Sequence, residues 1–76
     1  MTETFQKVDR AIVEVLPALD GKVEADRNLM VDLGIDSLSM VEILVELETS
    51  YGIEIPDSKL KTVVTVQDLL DLVDQH

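Results

Sequence analysis

The sequence predicts an all-α fold, a small four-helix bundle of three longer helices plus one short helix, with a long loop between the first and second helices. Three observations predict it. Apolar residues recur at intervals of three and four in three stretches, which is the period of one helix face. Residues that start and stop helices punctuate these stretches. No convincing strand or internal repeat interrupts them. With 76 residues, the chain is read as one domain, 1–76, near the lower size limit at which a hydrophobic core holds a fold by itself.

From Thr4 to about Leu16, the side chains Phe5, Val8, Ile12, Val15 and Leu16 fall on one stripe, and Glu3, Lys7, Asp9, Arg10 and Glu14 lie largely off it. Pro17 ends the helix, because its ring clashes with the preceding turn and it has no N–H to give. Residues 17–36, PALDGKVEADRNLMVDLGID, form the long connection, and Val23, Leu29, Met30 and Leu33 are its expected anchors to the core. A calcium loop starting at Asp20 is excluded by Lys22 at the third position, Ala25 at the sixth and Val31 at the twelfth, where the motif needs an oxygen ligand, a glycine and a glutamate.

The second helix is expected to begin at Asp36 or Ser37, both good N-caps, and to run to about Tyr51, with Gly52 placed to end it. Pro56 and Asp57 lead into a short helical turn through Leu60. Thr65 and Asp68 have the form of a capping box, ahead of Val66, Leu69, Leu70, Leu72 and Val73 on the last helix.

Sixteen acidic and six basic residues give a formal charge of −10, which repels phosphate backbones and anionic membranes; nucleic acid and membrane partners are therefore not expected. The acids are unevenly placed. Residues 28–58 hold Asp32, Asp36, Glu42, Glu46, Glu48, Glu54 and Asp57 and no base, a pattern that attracts basic partner surfaces. Cysteine is absent, so disulfides and thiolate metal sites are excluded and no resident metal is expected. No stretch reaches the ~18 apolar residues of a membrane span, and MTETFQKVDR lacks the apolar core of a secretory signal, so the expected compartment is the cytoplasm. A monomer is expected, since no heptad pattern is present.

The second helix carries more apolar residues than one core face needs. Met40, Ile43, Leu44, Leu47 and Tyr51 follow the spacing of that face, while Leu38, Val41 and Val45 make a second stripe bordered by Glu42 and Glu48. Either the helix is buried on most sides, or the second stripe is an apolar docking strip edged by carboxylates. Solvent access to Val41 and Val45 separates the two readings.

Ser37 stands where an acidic loop gives way to this helix. A nucleophilic serine needs a general base, and the sole histidine is the terminal His76; GIDSLS also lacks the second glycine of a G-x-S-x-G elbow. Catalysis by the chain itself is not expected. Ser37 is then either a helix cap or a modified residue, since a helix N-terminus favours a phosphate ester placed on it.

The run DLGIDSLSMVEILVELETSYGIEIPD resembles the acyl carrier proteins, whose attachment motif is Asp-Ser-Leu at the start of the second helix. The matching positions are Asp36, Ser37 and Leu38, preceded by Leu33 and Gly34 and followed by Val41, Glu42, the stretch from Gly52 to Asp57, and Thr65-Val66. The resemblance implies a covalent 4′-phosphopantetheine arm on Ser37, with Asp36 beside it, installed from coenzyme A by a magnesium-dependent phosphopantetheinyl transferase. It implies a non-catalytic carrier that holds acyl groups as thioesters and passes them between acyl-activating, condensing and other synthase enzymes. Those enzymes would dock through basic patches on Leu38, Val41, Glu42, Val45 and Glu48. Common fatty-acid carriers have acids where this chain has Ser39, Thr49 and Ser50, and they are often acidic where it has Lys59 and Lys61. Fatty acid biosynthesis and polyketide biosynthesis both remain open, as do an aminoacyl or peptidyl carrier and an acidic interaction module that is never modified.

Overall fold

A computed structural model describes residues 3–74, apart from the side chain of Asp57. His76 lies outside the described residues. Among the described residues four α-helices follow one another, α1 (Glu3–Val15), α2 (Ser37–Tyr51), α3 (Asp57–Leu60) and α4 (Val66–Asp74), with a 3-10 turn at Pro17–Leu19. The expected bundle and its long loop are both present, and each helix boundary falls within a residue or so of its expected place.

The reasons are local. The apolar stripe of α1 turns Val8, Ala11 and Ile12 into the core. Leu16 N–H still bonds Ile12 O at 2.8 Å, after which Pro17 opens the 3-10 turn rather than continuing the helix. At the far end of α2, Gly52 takes φ 67°, a left-handed conformation that glycine adopts without strain. Its N–H closes on Glu48 O at 2.9 Å. The capping box before α4 forms as read: Asp68 N–H donates to Thr65 Oγ1 at 3.2 Å, and Asp68 Oδ2 accepts from the Thr65 and Val64 N–H groups, both at 3.0 Å.

α1 packs against α2 and α4, and their facing side chains make the core: Ile12, Ile43, Leu47, Val66 and Leu69 are all fully buried. A hydrogen bond from Thr4 Oγ1 to Asp74 ties the start of α1 to the end of α4. Near the same end of α1, the Lys7 ammonium lies 5.7 Å from the centre of the ring of Tyr51, the last residue of α2.

The long loop is held from within and from α4's entry. Val23, Leu29 and Leu33 are buried as expected. Met30 is not an anchor. It is 64% exposed, because Asn28 Oδ1 accepts from both Met30 N–H (3.0 Å) and Val31 N–H (2.8 Å) and fixes a tight turn in which Leu29 takes the inward place. Ile35, which was not among the expected anchors, fills the role instead at 1% exposure. Leu29 N–H bonds Val64 O (2.9 Å), Val66 N–H bonds Arg27 O (3.0 Å) and Gln67 N–H bonds Ala25 O (2.9 Å), so the loop also satisfies free donors at the start of α4.

Candidate functional site

The approach to α2 is built as a rigid lead-in. Asp32 Oδ2 accepts from Asn28 N–H (2.8 Å), Gly34 at φ 68° turns the chain with its N–H on Met30 O (3.1 Å), and Ile35 N–H bonds Leu29 O (2.8 Å). Buried Ile35 and half-buried Met40 then occupy the N′ and N4 positions around the helix start, where a hydrophobic staple fixes the entry angle.

Asp36, in extended backbone at φ −87° and ψ −179°, is the N-cap, and its Oδ1 accepts from Ser39 N–H at 2.8 Å. That bond, with help from the Ser39 side chain, holds the Asp36 carboxyl below the ordinary carboxylate range. Ser37 is therefore the first helical residue and has no capping duty. It is exposed, and among the described residues its hydroxyl has no hydrogen-bond partner. The two sequence options for the cap resolve in favour of Asp36, which leaves a free hydroxyl at the positive end of a 15-residue helix.

Beside it lies a half-open cleft of about 320 Å³ between the start of α2 and the segment after α3. Asp36, Ser37 and Lys61 stand in its wall; the rest is apolar, including Leu29, Ile35, Met40 and Val63. Sequence reading missed Lys61 here, since 24 residues separate it from Ser37 and only the return of the chain through α3 brings the two to one cleft.

The second apolar stripe of α2 is open to solvent. Leu38 is 69%, Val41 45% and Val45 52% exposed, and Glu42 and Glu48 beside them are exposed too. On the opposite side Ile43, Leu44 and Leu47 are buried, with Met40 and Tyr51 half-buried. The reading of α2 as buried on most sides is thereby overturned: the core needs one face of it.

A model of the family described as "Phosphopantetheine attachment site" matches residues 6–73. The chain belongs to that family, among the acyl carrier proteins. It is 33% identical to an acyl carrier protein of Zymomonas mobilis over 76 residues, covering all of this chain and 97% of that one. It is 36% identical to an acyl carrier protein of Campylobacter hominis over 72 residues, covering 95% of this chain and 91% of that one. The family's cofactor is phosphopantetheine. The residues here fit such a group: an accessible hydroxyl with no hydrogen-bond partner among the described residues, a helix N-terminus suited to a phosphate ester, and a largely apolar cleft beside both. Among the described residues no helix is long and apolar enough to cross a membrane.

Proposed function

We propose that this chain is a cytoplasmic, monomeric acyl carrier whose Ser37 bears the 4′-phosphopantetheine arm. One observation carries the assignment of the residue: Asp36 takes over the cap and leaves Ser37 Oγ exposed and, among the described residues, unbonded at the helix start. The chain does not activate that hydroxyl, so a phosphopantetheinyl transferase brings the general base and magnesium. In the loading step the hydroxyl proton leaves to the transferase, an Oγ–P bond forms at Ser37, and the pyrophosphate bond of coenzyme A breaks, with adenosine 3′,5′-bisphosphate as leaving group.

When bound, the group supplies a terminal thiol on which acyl cargo is held as a thioester. The chain's own residues orient and present it. Asp36 fixes the start of α2 and stands next to the attachment point as a contact for the incoming metal or transferase. Leu38, Val41 and Val45 form the apolar centre of the docking strip, and Glu42 and Glu48 its charged edge, which suits brief visits by synthase enzymes with basic patches. The apolar walls of the cleft favour aliphatic acyl cargo over aminoacyl groups, whose charged ammonium would be desolvated there.

The test is intact mass after incubation with coenzyme A, magnesium and a broad-specificity transferase. Wild type gains the mass of one phosphopantetheinyl group, and Ser37→Ala gains nothing while melting like wild type. A folded wild-type chain that stays unmodified, or a variant that is still loaded, overturns the assignment.

A further inference from the structure

Lys61, the residue that closes α3, is the cation in the wall of the cleft beside Ser37. It is exposed and forms no ion pair among the described residues, where Lys7 is paired with Glu3 at 3.3 Å and Arg27 with Glu24 at 2.6 Å. The carboxylate that shares its cleft, Asp36, is committed to Ser39 N–H. Among the described side chains its charge is thus unmatched, and it follows closely in sequence on the most acidic part of the chain, residues 28–58, which hold seven acids and no base. Lys59, two residues earlier, faces a different groove, shared with the carboxylates Asp68 and Asp71.

We propose that Lys61 is a positioning residue for the phosphodiester at Ser37, pairing with its anionic oxygens across the mouth of the cleft. The inference rests on Ser37 as the attachment point. A phosphodiester there adds an anion next to Asp36 and the acidic face of α2, and Lys61 offsets that repulsion from within the same cleft. A lysine suits this work because its long stem carries a compact point charge that can follow the phosphate. The pairing turns the root of the arm along the cleft between α2 and residues 60–63, so that cargo starts out facing apolar walls rather than bulk water. Both groups are near solvent, so salt weakens the pairing.

The experiment uses the loaded full chain: wild type, Lys61→Gln, Lys61→Arg and the control Lys59→Gln, each first shown by intact mass to carry one arm. Nuclear Overhauser contacts from the Lys61 methylenes to the pantoyl methyl groups are recorded with the phosphorus resonance, at low and high salt. The expected result is contacts in wild type that fade as salt rises. The phosphorus resonance should be displaced in Lys61→Gln and restored towards wild type in Lys61→Arg. Lys59→Gln should match wild type. Loaded wild type without these contacts, together with an unchanged phosphorus resonance in Lys61→Gln, overturns the proposal while leaving Ser37 as the attachment point. So does a Lys61→Gln chain that differs only in its rate of loading, which would place Lys61 against a partner enzyme. Failure of the mass shift overturns the attachment reading itself, and this inference with it.

Discussion

Helices α1 and α2 are close in length, 13 and 15 residues, yet they use their apolar side chains differently. On α1 the apolar residues gather on one side, and Gln6, Arg10 and Glu14 face solvent. On α2 the inward face is as well buried as that of α1, but Leu38, Val41 and Val45 remain on the outside. A helix needs only one apolar face to stay packed. The surplus on α2 adds nothing to the core, and it lies on the helix that begins at Ser37. The contrast separates side chains that hold the fold from side chains that we propose meet partner enzymes.

The largest effect expected from a single change is at the hydroxyl. Ser37→Ala should abolish uptake of the arm by mass and leave the thermal midpoint in place, because the removed oxygen has no partner within the described residues.

The comparison sharpens next on the core. Ile12→Ala on α1 and Leu47→Ala on α2 both empty fully buried sites. Each should cost about 2–5 kcal/mol in urea unfolding. Val45→Ala on the outer face of α2 should stay within about 0.5 kcal/mol of wild type and slow handling by partner enzymes instead. A Val45→Ala loss as large as that of Leu47→Ala would break the distinction.

Charge reversal should give a smaller and salt-dependent effect. Glu42→Lys or Glu48→Lys should slow loading by the transferase at low ionic strength, and Glu14→Lys on α1 should not. The difference should shrink at ~0.15 M salt, where screening acts over about 8 Å. Equal loading rates at low ionic strength would remove the steering role from α2.

The smallest effect is on pH dependence. Hydrogen bonds to the charged forms lower the Asp36 and Asp68 carboxyls below their unfolded values. Their contribution is therefore present above the unfolded carboxylate range, roughly pH 4, and is lost as pH falls through the lower folded values. Asp36→Asn keeps a capping oxygen that does not titrate, so its urea midpoint should fall less steeply on acidification. Asp9 on α1 runs the other way. Desolvation, then nearby Asp20, raises its carboxyl against the pull of Arg10, so folding favours its protonated form and Asp9→Asn should raise stability slightly near neutral pH.

Much of this molecule was legible before its structure. The inward stripes of α1 and α2, the glycine stop at Gly52 and the Thr65–Asp68 capping box are all local, set by residues within a turn or two of each other, and they fold as read. Errors gathered in the long loop, where no period constrains which side chain turns inward. Met30 and Ile35 are equally apolar, and only the Asn28 turn and the bond from Ile35 N–H to Leu29 O decide that Ile35 goes in and Met30 stays out. A hydrophobic residue just before an Asp cap, with Met40 five residues on, was the staple signal that pointed to Ile35.

The sequence by itself determined four helices, an acidic middle and a serine at a helix start without a base to activate it, because periodicity, charge and capping chemistry are carried by near neighbours. Tertiary structure alone decided that Val41 and Val45 stay wet and that Lys61 shares a cleft with Ser37. Burial and juxtaposition depend on which distant elements cover a face, and no local pattern encodes that covering.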